Sequence, residues 1–363
     1  MTRQQKRFTV AIIGGGIGGL SLAVGLLRRN TPVHIYEAAP AFKEVGLGLS
    51  IGPAAHRAMP LIDPKIRRIY DSLITTHADS PGYEQFRETW FEVVWATGRE
   101  KKSGEVLLDL KALPSGQTTV RRADFLDALV TLIPPEIADF GRRLVDLEET
   151  SNGVELRFED GSSATADVVV GCDGIKSEVK ESMISPEEYE RVLPRYSGMY
   201  GYRAVLDMET MVKAVGDHRA RVSTMYVGKG TYGISYPIMR AQKVNVGLYK
   251  LNDKWEDNAW VRPASKDDMR RDFEHMGNHI NALIEVVPPC VPLHSGNYTD
   301  DNSTCPIPHS GPSSNTLTSR HTHAPESPFS GMLHMHPLHI KEPVPARPLK
   351  MPTSWLNSWV IPG

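Results

Sequence analysis

The stretch VAIIGGGIGGLSLAVGLL, residues 10–27, sets an apolar run against six residues of which only Ile17 is not glycine, then returns to helix-favouring apolar residues. A glycine inside a strand or helix costs about 0.5–1 kcal/mol relative to alanine, so a cluster is tolerated where the backbone itself needs the room. Gly14, Gly16 and Gly19 fit G-x-G-x-x-G: the first permits a tight turn, the second lets the backbone approach a pyrophosphate, and the third lets a helix pack closely on a strand. The flanks agree. FTVAII (8–13) has the short β-branched character of a buried parallel strand, residues 17–29 predict a helix ending in Arg28, Arg29 and Asn30, and VHIYE (33–37) predicts a second strand. A strand–helix–strand unit implies a parallel sheet with a right-handed crossover. Free N–H groups and the positive dipole end of the helix would then face the phosphates. Glu37 follows Gly14 by 23 residues, where a carboxylate can accept from a ribose hydroxyl. An acid there disfavours a 2′-phosphate, which points to NAD or FAD rather than NADP.

Further along, RADFLDALVTLI (122–133) has helical spacing and stops at Pro134-Pro135. RRLVDLEE, GVELRFEDG and SSATADVVVG predict three strands, with hairpin turns at Asn152-Gly153 and Asp160-Gly161. Residues 196–250 are rich in β-formers, and 264–287 return to a helical pattern. At 363 residues the chain exceeds one comfortable core, so two domains are expected. From Pro288 the pattern is lost: residues 288–363 hold 14 of the 27 prolines and 7 of the 13 histidines, with few charges and no sustained period. Such a segment cannot bury enough apolar surface to offset its ordering entropy, and disorder is expected.

Three more stretches choose between the nucleotides. EVGLGLSIGPAAHRAM (44–59), TVRRADFLDAL (119–129) and ADVVVGCDGIKSEVK (166–180) occur in this order with GGGIGGL and YE. Together they resemble the FAD-dependent aromatic hydroxylases, the para-hydroxybenzoate hydroxylase class, and within it the salicylate-hydroxylase-like monooxygenases. The resemblance covers roughly residues 8–287. It implies an α/β chain: a Rossmann-like FAD-binding domain from 1–75 and 105–185, a substrate domain with a mixed β-sheet from 76–104 and 186–287, and a disordered, non-family-like tail from 288–363. It also implies a reaction in which NADPH or NADH reduces FAD, molecular oxygen gives a flavin C4a-hydroperoxide, and a phenolic or aromatic acid ring is hydroxylated.

Position by position, the resemblance implies that Gly14, Gly16, Gly19 and Glu37 bind the ADP half of FAD. Gly48 would lie near the flavin's sugar and ring, and Arg122 would contact the phosphates or ribityl chain. Asp173 and Gly174, in GCDGIKS, match a DG motif tied to both FAD and NADPH, although Asp173 also reads as a helix-capping turn residue. Arg203 in YGYRA and Tyr236 in GISYPI would hold the substrate phenolate, the guanidinium stabilising the reactive anion and the tyrosine orienting it. The family also carries a late Gly-Asp motif of the type GDAAH for the flavin end of the cofactor. Residues 250–363 hold no counterpart, and the resemblance stops near Pro288. The expectation is therefore a chain whose C-terminal flavin-binding part is missing or replaced, with weakened FAD binding. A non-catalytic remnant and a plain NAD-dependent dehydrogenase are the alternatives, the latter lacking a recognisable acid/base motif.

Other signals carry less. GLSIG (48–52) fits a nucleophile elbow centred on Ser50, but Pro53 follows at once and no partner is evident. Cys290, His294, Cys305 and His309 have zinc-ligand types in a stretch with no apolar pattern around them. The sequons at Asn297 and Asn302 matter only in a secreted protein. Arg3, Lys6 and Arg7 before an apolar run could suggest a targeting segment, yet six glycines interrupt that run. Three cysteines and a net charge of −2, with no basic patch interleaved with aromatics, suit a cytoplasmic protein that binds neither nucleic acid nor a membrane. The oligomeric state is not written in the sequence.

Overall fold

The first apolar run forms β1 (Val10–Ile13), whose four residues are all buried. The structure, a computed structural model, describes residues 8–42, 47–97, 104–193, 196–252 and 264–288, and the backbone of 307–310. β1 lies between two parallel neighbours, β2 (Val33–Glu37) and β11 (Val168–Gly171), with Val10 opposite both Val33 and Val168. A fourth parallel strand, β7 (Ala138–Phe140), flanks β2. Val10 and Ile12 point to one side, into a cluster with Leu20, Ala23 and Val24 of α1 (Ile17–Arg28). Phe125, Leu126 and Leu129 of α4 (Arg122–Val130), and Met59, Ile66 and Tyr70 of α2 (Pro53–Ile62) and α3 (Pro64–Leu73), complete it. Ala11 and Ile13 point the other way, onto Leu144, Leu156 and Phe158. Both faces of β1 are covered, which is why its sequence is continuously apolar rather than alternating.

The second cover is an antiparallel ribbon of β8 (Leu144–Thr150), β9 (Gly153–Phe158) and β10 (Ser163–Ala166). Its turns fall at the two expected dipeptides, with Gly153 at φ +127° and Gly161 at φ +82°. The third expected strand is in fact two. Asp167 accepts from the Thr9 N–H (2.8 Å) and hydroxyl (2.7 Å), and this anchor breaks SSATADVVVG into β10 on the ribbon and β11 in the parallel sheet.

A larger sheet runs in the order β16-β12-β15-β14-β13-β4-β5. Its strands are β4 (Thr89–Trp95), β5 (Val106–Lys111), β12 (Tyr196–Asp207), β13 (Thr224–Gly228), β14 (Thr231–Ile238), β15 (Lys243–Leu251) and β16 (Ile307–Ser310). All neighbours are antiparallel except β13 and β4. Beyond Pro288 only the backbone of β16 belongs to the described residues, so the expectation for the tail and three of its zinc-type residues, Cys290, His294 and Cys305, lie outside them. One face of the sheet, with Tyr202, Ala204, Val246 and Leu248, packs on α7 (Met208–Val215), α8 (Asp217–Arg221), α9 (Lys266–Asp272) and α10 (Asn278–Val286). Helices α7 and α8 fall inside a stretch read as β-rich. Asp272 anchors α9: its buried carboxylate accepts from Tyr200 OH (2.5 Å) and Tyr202 OH (2.6 Å) and pairs with Lys250 Nζ at 2.7 Å. A two-stranded ribbon, β3 (Gly48–Ile51) with β6 (Thr118–Arg121), completes the strands, and α5 (Glu178–Met183) and α6 (Pro186–Val192) follow β11. Among the described residues, no helix is long and apolar enough to cross a membrane.

His77 ties the segment before β4 to β13. Its Nε2 accepts from the Ser223 N–H at 3.0 Å, so the neutral ring carries its proton on Nδ1 and donates to Phe86 O at 3.0 Å. Burial pulls its pKa down to about 4, although the bond to the Phe86 carbonyl favours the charged ring. A depressed folded-state pKa means the unfolded chain takes up the proton first as pH falls. The stabilisation is whole above about pH 6.5 and lost on the way to pH 4. Chemical denaturation at pH 7.5 and pH 5 should show a loss on the order of 2 kcal/mol from this residue alone. His77→Gln should flatten that difference while lowering stability at pH 7.5.

Candidate functional site

The turn from β1 into α1 is built around absent side chains. Gly14 sits at φ +101°, a left-handed conformation that favours glycine. A Cβ on it would strike the Cys172 carbonyl, and one on Gly19 would strike the Gly14 carbonyl. Gly16 differs: no protein atom lies within 4 Å of where its Cβ would be. Gly14 and Gly19 therefore serve the packing of the turn, whereas Gly16 opens on space that a ligand could use. Glu37 reaches the same turn from the end of β2, its carboxylate accepting from the N–H of Gly15 at 2.6 Å and of Ala39 at 2.7 Å.

On the other side of Gly14 lies the turn after β11. Asp173 Oδ1 accepts from Ser177 Oγ at 2.6 Å and Oδ2 from the Val179 N–H at 3.2 Å, so the side chain secures the start of α5. Gly174, at φ +82°, makes the turn possible. Next to them the half-buried Cys172 thiol has its pKa pushed up to about 11 by burial, with the Asp173 charge adding to it. The glycine loop, Glu37, Asp173 and Gly174, separated by up to 160 positions in the chain, thus share one locale.

A second group forms on the face of the large sheet opposite the helices. Arg203 on β12 is in register with Gly247, Tyr249 on β15 is in register with Tyr232 on β14, and Asn245 on β15 with Tyr236. The alternation of strands puts all of them on one side. Gly201 and Gly247 make room there, since a Cβ on either would lie within 2.7 Å of the Tyr249 ring. Tyr249 stacks on Tyr232, with ring centroids 4.6 Å apart and planes 13° from parallel. Tyr249, Tyr236 and Tyr232 surround the Arg203 guanidinium. Burial works against its charge, but the tyrosine oxygens outweigh that and hold its pKa above the ordinary arginine value. Its Nε is shut off from solvent and, among the described residues, has no hydrogen-bond partner. Tyr236 is buried, and burial raises its pKa despite the nearby guanidinium.

Gly48 meets the second group from a different strand. Its carbonyl accepts from Tyr236 OH at 2.9 Å, and its N–H donates to Asn245 Oδ1 at 3.3 Å. Arg122, at the start of α4, donates its backbone N–H to Leu47 O at 3.0 Å, and so lies beside Gly48. Sequence reading did not single out Asn245, Tyr232 or Tyr249. The available signal was a polar residue at an inward position of the otherwise apolar run KVNVGLY. Ser50 sits mid-strand in β3, paired with Thr119 and accepting from Gln117 Nε2 at 3.1 Å, which is not the sharp turn a nucleophile elbow needs. Among the described residues, no group of three His, Cys, Asp or Glu side chains could hold a metal ion.

A comparison with models of protein families finds no match. Individual proteins do match. The 6-methylsalicylate 1-monooxygenase of Aspergillus terreus is 39% identical over 288 residues, which are 78% of this chain and 63% of that protein. A salicylate hydroxylase of Pseudomonas putida is 34% identical over 302 residues, 79% of this chain and 66% of that one. The chain thus spans slightly less than two thirds of the length of these relatives. Among solved structures, a salicylate hydroxylase substrate complex aligns with a TM-score of 0.65 and 27% identity over 83% of this chain and 68% of that one. The 2,6-dihydroxypyridine-3-hydroxylase of Arthrobacter nicotinovorans shares the fold, with a TM-score of 0.61 at 20% identity over 83% of this chain and 72% of that one.

The glycines separate packing from ligand space in a way that substitution can read. Gly19→Ala forces the helix off the Gly14 carbonyl and should cost about 2 kcal/mol or more, as overpacking does. Gly16→Ala meets no protein atom and should unfold within roughly 0.5 kcal/mol of the unaltered chain. Thermal or urea unfolding of the two variants checks this.

Proposed function

Because the chain belongs to the family of FAD-dependent monooxygenases that includes the salicylate hydroxylases, we propose that it binds FAD at the β1–α1 turn and hydroxylates a phenolic or aromatic acid ring held against Arg203. The observation that carries the proposal is a guanidinium set among three tyrosines, with no ion pair to a carboxylate among the described residues. The guanidinium stays charged there, and among the described residues its Nε has no hydrogen-bond partner. A phenolate or carboxylate supplied by the substrate would meet that need.

The residues fit the cofactor. The open space at Gly16, beside the N-terminus of α1, suits a pyrophosphate, and the Glu37 carboxylate at the same turn suits a ribose diol. Asp173 and Gly174 contribute by shaping the turn against which Gly14 rests. Arg122 and Gly48 would address the part of FAD beyond the phosphates. Bound FAD supplies oxygen-transfer chemistry, with NADPH or NADH as reductant and molecular oxygen as oxidant. The protein's own part is to bind, orient and charge the ring. Arg203 favours the ionised phenol over the neutral one, and a phenolate ring is richer in electrons and easier to attack. The stacked Tyr232 and Tyr249 wall the ring in, and Tyr236 beside the guanidinium completes the enclosure.

The test is a spectrum followed by turnover. The purified chain, mixed with FAD, should develop a bound-flavin band and oxidise NADPH or NADH faster when salicylate or another phenol is added. A protein that stays colourless at any FAD concentration sinks the proposal. Arg203→Ala should keep the flavin band and lose the stimulation by phenol, by about tenfold or more given the worth of a charged hydrogen bond. Gly16→Ala should weaken FAD while leaving the fold intact.

A further inference from the structure

Tyr236 and Asn245 sit directly opposite one another on β14 and β15, and both reach the same residue of a different strand. Tyr236 OH donates to Gly48 O at 2.9 Å, and Asn245 Oδ1 accepts from Gly48 N–H at 3.3 Å. Asn245 is fully buried, and Tyr236 is 4% exposed. The fit extends to the missing side chain: a Cβ on Gly48 would lie 2.9 Å from Ile238 Cγ2, 3.0 Å from Tyr236 Cε2 and 3.3 Å from Asn245 Cβ. A third bond ties the same ribbon to β14, from Thr119 Oγ1 to Pro237 O at 2.6 Å. At Gly48, β3 is therefore pinned to the large sheet by both its donor and its acceptor, at a position where a Cβ would crowd three side chains.

We propose that Tyr236 and Asn245 are a positioning pair: they clamp Gly48, and through it fix the cofactor-side ribbon β3–β6 on the sheet that carries Arg203. The Tyr236 proton is committed to the Gly48 carbonyl, so the residue acts on the ring through Gly48 rather than by donating to it. Arg203 alone supplies the charged contact with the substrate. The guanidinium also lies beside Tyr236, so the anion-binding group and the clamp share a side chain. Displacing β3 moves what Gly48 faces relative to Arg203 without removing any substrate contact.

The inference rests on the FAD reading for one of its two tests only. The first is hydrogen exchange of the full chain without cofactor, followed on peptides spanning 47–52. Tyr236→Phe and Asn245→Ala should each speed exchange there by about fivefold or more, the worth of one buried hydrogen bond, with β9 unaffected. Exchange at 47–52 equal to that of the unaltered chain overturns the clamp, whether or not FAD binds. The second test uses the FAD complex. Tyr236→Phe should weaken FAD, read by quenching of its fluorescence, about three- to tenfold. It should change the affinity for a phenol, read by perturbation of the flavin spectrum, less than twofold. Gly48→Ala should reproduce that pattern. The reverse, unchanged FAD affinity with weakened phenol binding, overturns the proposal by making Tyr236 a substrate contact. Tyr236→Phe keeps the ring that fills the core, so it carries the test even if Asn245→Ala fails to fold.

Discussion

The close approach of α1 to the end of β1 is the constraint on which the rest of this structure depends. The helix is set by Gly19 against the Gly14 carbonyl, and Gly14 in turn against the Cys172 carbonyl of the neighbouring turn. Three pieces of backbone are in contact with no side chain between them. That contact fixes the parallel strands at a common end, brings Glu37 and Asp173 to one place, and leaves Gly16 facing outward. Dispersion falls off steeply with distance, so an added methyl group would forfeit contacts on both sides of the turn.

What could be read from residues alone divides along the same line. The β1–α1–β2 unit was legible because burial on both faces demands an unbroken apolar run, and because the glycines occur where no other residue fits. The hairpin glycines at 153 and 161 were legible for the same reason, each needing a positive φ. The split of β10 from β11 was not. It depends on Asp167 meeting Thr9, a contact across 158 positions that leaves no local pattern. Helices α7 and α8 were hidden because Met208–Val215 is apolar and partly β-branched, and the cover it gives the large sheet decides its form. Of the site, the glycine turn and Glu37 were legible as spacing, whereas the partnership of Gly48 with Tyr236 and Asn245 spans nearly 200 residues and appears only when the sheets are assembled.

The large sheet illustrates how one scaffold keeps two chemistries apart. On its helix-covered face, Asp272 is satisfied by two tyrosine hydroxyls and a lysine, a closed set of charges with nothing left to offer. On the other face, Arg203 has tyrosines and, among the described residues, no carboxylate paired with it. Strand alternation separates the two by a single residue, Tyr202 pointing one way and Arg203 the other. A carboxylate on the second face would complete an ion pair and leave a substrate anion nothing to neutralise.

The Cys172 thiol stands behind the glycine turn between β1 and α1. With a pKa of about 11 it is roughly one part in ten thousand thiolate at neutral pH, and the thiolate is the form that attacks peroxide. Burial behind the glycine turn therefore acts as a passive safeguard: the sulfur is held in its unreactive form by the same packing that shapes the turn.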